Sequence, residues 1–235
     1  MPSKETFRRR HLPHWDVPGA IYFVTACLEG SIPAQGLLDI RGYEAVLARR
    51  ARPEEMSENE WELQRWKLRF ARAERWLDLA PAVRHLEDPE LADVVSNALF
   101  FFAGTRYDLL SFVVMPSHFH WVFRPLERWI HSLDPDDGKR SPRERIMHSI
   151  KRYTAGQCNQ RLHADGRFWQ QESYDHWVRA VDELERIIHY VEYNPVKAGL
   201  VADPNLWRFS SAHHRQALGL PFGSPLPRIE AFKVG

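Results

Sequence analysis

Apolar positions fall into two kinds of run. Short, nearly unbroken stretches of β-branched and aromatic residues occupy 20–28 (AIYFVTACL), 107–115 and 119–123. They read as buried strands. Pro18-Gly19 punctuates the first, and Pro116-Ser117 separates the other two, giving strand, short break, strand. Elsewhere apolar residues recur every three or four positions. Residues 41–52 predict a helix, and 54–78, rich in Glu, Arg, Trp and Leu without Gly or Pro, a long one. Trp61, Trp66, Phe70 and Trp76 are its packing residues. Residues 89–104 predict a further helix, with Pro89 in its first turn and Gly104 at its end. Residues 127–141, marked by DPDDG, predict a loop.

Residues 142–162 predict a helix with Ile146, Ile150 and Tyr153 on one side. Arg145, His148 and Arg152 form a basic row on another. Residues 181–193 predict a helix whose apolar stripe is Val181, Leu184, Ile187, Ile188 and Val191. Asn194-Pro195 is expected to stop it, because a residue before proline disfavours the helical region. The Pro- and Gly-bearing tail after Trp207 is expected to dock loosely or extend.

Composition adds bounds. The chain has 235 residues, 44% hydrophobic and 27% charged, enough to bury a sizeable core. Two cysteines, Cys27 and Cys158, make neither a disulfide framework nor a cysteine-only zinc site. The N-terminal segment has no apolar h-region, and no run is long enough to span a bilayer, so a cytoplasmic protein without a membrane is expected. The net charge of +1 hides asymmetry: residues 139–167 hold eight basic side chains against two acidic ones. Arg8, Arg9 and Arg10 make a second basic cluster, and Glu54, Glu55, Glu58, Glu60 and Glu62 an acidic patch. Local basic segments suit a phosphate backbone, though they equally suit solvated helix faces.

Two constellations carry candidate chemistry. In His118-Phe119-His120 a strand would project both imidazoles to one face, side by side, as a divalent metal requires. In a chain with 12 histidines the pair also fits two surface histidines on an amphipathic strand. Tyr190 and Asn194, four apart, share a helix face at the edge of the apolar stripe, where Tyr190 could serve as a nucleophile. A phenol with a pKa near 10 needs a metal or cation beside it to act at neutral pH. Tyr174 is the rival nucleophile.

Several ordered segments resemble a known family. VVMPSHFHWVF (113–123) is similar to the histidine–hydrophobic–histidine strand of the HUH single-tyrosine transposases. RRRHLPHWDVPGAIYFVT resembles their N-terminal strand and its approach, and IMHSIKRYTAGQCN their central helix. RFWQQESYDHWVR, YVEYNPVKAGLV and WRFSS resemble their C-terminal part. The nearest branch is the REP-associated tyrosine transposases.

The resemblance implies an α/β (α+β) domain over 1–215, a ferredoxin-like or RRM-like antiparallel sheet with helices on one face. A helical insertion around 41–88 and a C-terminal tail at 216–235 complete it. It implies that His118 and His120 bind Mg2+ or Mn2+ with Asn194 as an oxygen ligand, and that Tyr190, with Tyr174 as second choice, is the nucleophile. It implies cleavage and rejoining of single-stranded, hairpin DNA through a 5′-phosphotyrosine, by a monomer or homodimer. Arg8, Arg9, Arg10, Arg145, His148, Lys151 and Arg152 are the candidate DNA-backbone contacts. Trp15 and Trp169 are candidates for base stacking beside a core role. Ser117 stands where the family often has Asn. The alternatives are a catalytically silent hairpin-binding descendant, an RNA-binding sheet module and a phosphodiesterase without a covalent step.

Overall fold

The structure, a computed structural model, describes residues 6–9, 13–17, 19–134, 140–171 and 173–228. A hairpin of β1 (Thr6–Arg9) and β2 (Pro13–Asp16) precedes β3 (Ile21–Cys27). Helices α1 (Ala34–Arg49) and α2 (Glu58–Leu79) follow, then α3 (Pro89–Phe101). Next come β4 (Tyr107–Val114), β5 (His118–Pro125), the short α4 (Glu127–His131) and α5 (Pro142–Leu162). The chain ends with β6 (Tyr174–Val178), α6 (Val181–Lys197) and α7 (Ser211–Leu218). The main sheet is antiparallel throughout, in the order β4-β5-β3-β6. With α3 between β3 and β4, and α5 between β5 and β6, this is the expected ferredoxin-like βαββαβ arrangement.

Alternation along the strands assigns two core faces. Tyr22, Val24, Phe119, Trp121, Phe112 and Val114 face α3 and α5, meeting Leu91, Val95, Leu99, Ile146 and Ile150. On the opposite face Phe23, Val113 and Val122 meet Trp66 and Phe70 of α2 and Val191 of α6. The insertion therefore supplies core to the sheet's second face. A third cluster, Cys27, Ile32, Ile40, Ala73 and Leu77, ties α1 and α2 to the end of β3.

Local chemistry explains most boundaries. Ser57 with Glu60 and Ser141 with Glu144 form capping boxes that start α2 and α5, and Asp88 with Pro89 starts α3. Gly36 lets α1 lie tight on α2, since a Cβ there would sit 2.9 Å from the Trp76 ring. Asp39 of α1 accepts from Arg72 Nε at 2.7 Å and Trp76 Nε1 at 2.9 Å of α2. A bulge between Leu109 and Ser111 takes Leu110 out of the ladder, and its carbonyl accepts from Arg215, itself paired with buried Glu192 of α6.

Several expectations change. Helix α6 does not stop at Asn194: it runs through Pro195 to Lys197. A proline in the last turn forfeits one hydrogen bond, and the Ala198 N–H to Asn194 carbonyl bond (2.9 Å) still closes the helix end. The expected loop after β5 begins as α4. In α5 the inward side continues from Ile146 and Ile150 to Thr154 and Cys158, while Tyr153 is exposed, as is Val181 on α6. The expected tail from 216 begins inside α7, and its Leu226 is buried, its N–H bonded to the Leu109 carbonyl at 2.7 Å.

Candidate functional site

His118 and His120 project from β5 onto the face covered by α2 and α6. Both are buried, at 1% and 0% exposure. Their Nε2 atoms stand 3.2 Å apart. Strand register fixes the other side of each ring. Thr25 lies directly across from His120, and its Oγ1 is 2.7 Å from His120 Nδ1. Ser117 Oγ is 3.0 Å from His118 Nδ1 and donates to the Leu77 carbonyl at 3.4 Å. A hydroxyl that donates to a carbonyl accepts from the imidazole, so His118 carries its proton on Nδ1 and leaves the Nε2 lone pair inward. Burial pushes the His118 pKa down to about 3, with Lys197 adding to the effect, and lowers His120 as well. Both rings are thus neutral at neutral pH, the ligand form.

Helix α6 delivers the second pair. Tyr190 OH lies 3.4 Å from His120 Nε2, Asn194 Nδ2 lies 3.2 Å from the same atom, and Asn194 Nδ2 donates to Tyr190 OH at 3.1 Å. The continuation of the helix through Pro195 keeps Asn194 in helical register with Tyr190. The Tyr190 ring packs edge-on against Phe23. Asn194 is fully buried, and its Oδ1 has no hydrogen-bond partner. Tyr174, by contrast, is half-buried on β6 with its ring against Phe70, and desolvation raises its pKa. Tyr190 is the tyrosine whose hydroxyl reaches the histidines.

The donor set fits a divalent metal. Two nitrogens bound at right angles at about 2.1 Å would be about 3.0 Å apart, and tetrahedrally about 3.4 Å. The observed 3.2 Å falls between. Two inward imidazole nitrogens at that distance, with the unpartnered oxygen of the Asn194 amide, could hold a cation. Among the described residues no three His, Cys, Asp or Glu side chains form a metal-binding cluster by themselves, so the amide matters.

Sequence reasoning missed the neighbours of this pair. Glu74 of α2 is buried, its Oε1 3.6 Å from His120 Nε2. Lys197 Nζ sits 3.0 Å from Asp78 Oδ2 and 3.7 Å from Glu74 Oε2. Burial pushes the Glu74 carboxyl up to about 8, against the pull of Lys197. The signal was an acid inside an apolar helical stripe, Phe70, Ala73, Glu74 and Leu77, where a charge is out of place. Thr25 was likewise the lone polar residue in AIYFVTACL.

The candidate DNA contacts do not gather at this site. Arg145, His148 and Arg152 lie on α5, across the sheet from the histidines. His148 and Arg152 are exposed, while Arg145 Nε donates to the Arg140 carbonyl. Lys151 is tied to the loop before β6, donating to the Gln170 carbonyl at 2.6 Å and to Ser173 Oγ at 3.2 Å. Arg143 is buried in a pair with Asp175 at 2.5 Å. Arg10 lies outside the described residues, as do the side chains of Arg8, Arg9 and Trp15. Trp169 is a core residue, its Nε1 donating to Thr154 Oγ1 at 2.9 Å.

A buried histidine pair on an antiparallel ferredoxin-like sheet, with a tyrosine brought to it by α6, defines the class to compare. The chain is 27% identical over 114 residues to the REP-associated tyrosine transposase of Escherichia coli K12, covering 48% of this chain and 59% of that protein. A Haemophilus influenzae protein named for the same family is 23% identical over 112 residues, 46% of this chain and 60% of that one. The matched region thus spans about three fifths of these relatives' length. A solved REP-associated tyrosine transposase bound to a REP hairpin shares the fold, with a TM-score of 0.51 and 17% identity over 98% of this chain and 96% of its own. No family model matches the chain. The relatives and the shared fold support the resemblance to the REP-associated tyrosine transposases that the motifs carry. No described helix is long and apolar enough to cross a membrane.

Proposed function

We propose that the chain is a metal-dependent tyrosine transposase that cleaves and rejoins single-stranded DNA at hairpin sequences of the REP type. The observation that carries this reading is the convergence of Tyr190 OH, Asn194 and His118 on His120 Nε2, each within 3.4 Å. His118, His120 and Asn194 would hold Mg2+ or Mn2+. When bound, the ion supplies Lewis-acid polarisation of the scissile phosphate. Thr25 and Ser117 hold the imidazoles in the ligating tautomer. Tyr190 is the nucleophile: its oxygen forms a bond to phosphorus as the bond from phosphorus to the 3′ oxygen breaks. The phenolic proton is lost, the departing 3′ oxygen gains one, and the DNA 5′ end remains on the tyrosine. Attack by a 3′-hydroxyl reverses the step, so rejoining needs no external energy source. Asn194 Nδ2, donating to Tyr190 OH, orients the phenol.

The test is a covalent adduct on a denaturing gel. End-labelled hairpin DNA from repeats flanking the gene is incubated with Mn2+ or Mg2+ and the parent, Tyr190→Phe or Tyr174→Phe. The expected result is an adduct with the parent and Tyr174→Phe, and none with Tyr190→Phe. Loss with Tyr174→Phe alone moves the nucleophile to β6. Hairpin binding without any adduct makes the protein a DNA-binding module.

A further inference from the structure

We infer that Glu74, carried by the inserted helix α2, is a carboxylate of the same metal centre, so that the insertion completes the site. This rests on the metal reading above. Glu74 is 7% exposed, and its Oε1 is buried without a hydrogen-bond partner. That oxygen points to His120 Nε2 at 3.6 Å, the atom on which His118, Asn194 and Tyr190 also converge. As placed, Glu74 and the two histidines do not form a three-ligand group; the assignment requires the carboxylate, whose Oε1 no hydrogen bond anchors, to turn toward the pair when the ion binds.

Charge leads to the same residue. Two neutral imidazoles and an amide offer a dication no compensating charge, and a buried uncompensated charge is costly. Among the described residues, Glu74 is the carboxylate placed within 4 Å of either histidine. Asp78 is engaged with Lys197 at 3.0 Å. With Glu74 ionised on the ion, Glu74, Asp78 and Lys197 would together carry one net negative charge. A dication turns that into one positive charge, the complement of a single phosphodiester. Carboxylate oxygen also suits the hard ions Mg2+ and Mn2+, whereas a site of imidazoles and amide favours Ni2+ or Cu2+. Position supports the assignment: α2 is held over the sheet by Phe70, edge-on to Phe23 and near the His120 ring, and by Trp66, stacked on Phe70 and His176.

The experiment is calorimetric titration of the full chain, without DNA, by Mn2+ and by Ni2+. Parent, Glu74→Gln, Glu74→Asp, Lys197→Met and His120→Ala are compared, with thermal melting as a check on folding. Glu74→Gln should lose at least about tenfold in Mn2+ affinity. It should lose less for Ni2+, and Glu74→Asp should recover part of the Mn2+ loss. Lys197→Met, which removes a positive charge beside the carboxylate, should bind Mn2+ as tightly as the parent or more tightly. Glu74→Gln binding Mn2+ as tightly as the parent overturns the assignment while leaving the histidine site standing. So does an equal loss for both ions. A parent that binds neither ion, or whose binding survives His120→Ala, overturns the metal reading and this inference with it.

Discussion

Each histidine of the pair is aimed by one hydroxyl. Thr25 and Ser117 do little for the core, yet they decide which imidazole nitrogen faces inward. Thr25→Val keeps shape and volume but leaves His120 Nδ1 buried without its hydrogen-bond partner, a cost of about 1–3 kcal/mol. The variant should stay folded and lose roughly 10- to 100-fold in Mn2+ affinity, read by calorimetric titration. At this scale the sequence was legible where spacing alone sets direction. His118 and His120 share a face because strand residues two apart do, and Tyr190 and Asn194 share one because helix residues four apart do. Thr25 and Glu74 were not legible, because their roles depend on strand register and on which helix face meets which sheet face. A polar residue in an apolar run marks such positions without saying what they touch.

The elements owe their placement to contacts of different kinds. The α1–α2 pair is held by Asp39, and β6 is joined to α6 by His176 Nε2 and Glu183 Oε1 at 3.0 Å. The Arg72 and Trp76 hydrogen bonds hold the Asp39 carboxyl down at about 2, and the His176 bond holds Glu183 down at about 2. Carboxylates depressed in the folded state contribute fully above their ordinary values, near 4, and lose that contribution as pH falls toward 2. Melting temperature should therefore drop between pH 5 and pH 2.5, and Asp39→Asn should lower it at pH 5 while flattening that drop. Strands and long helices were readable from periodicity and caps, with α1 starting earlier than its pattern suggested. The end of α6 was not, because the general preference against helix before proline yields when the proline sits in a last turn that is packed. The bulge in β4 was not read either, although polar Ser111 flanks it within the apolar run.

At the scale of the molecule the sheet divides labour. One face, under α2 and α6, holds the histidines and Tyr190; the other carries α5 with its exposed Arg152 and His148. A hairpin touching both would have to pass around an edge of the sheet. Arg152→Ala should then weaken hairpin binding and reduce the salt slope of log affinity by about 1, with Mn2+ affinity untouched. Binding isotherms across a salt series measure the slope. The motifs indicated the sheet fold and the presence of an insertion, but not that the insertion roofs the second face: its Glu-rich start suggested solvent, and its Trp66 and Phe70 named no partner. That roof, with the core beneath the other face, also encloses both cysteines. Cys27 and Cys158 are buried, and desolvation pushes each thiol up to about 12. Almost no thiolate exists at neutral pH, so maleimide dyes should leave the native chain unmarked. A cysteine introduced at exposed Val46 on α1 would then be the sole attachment point for a fluorophore, and the roof could be watched as DNA is added without removing either natural sulfur.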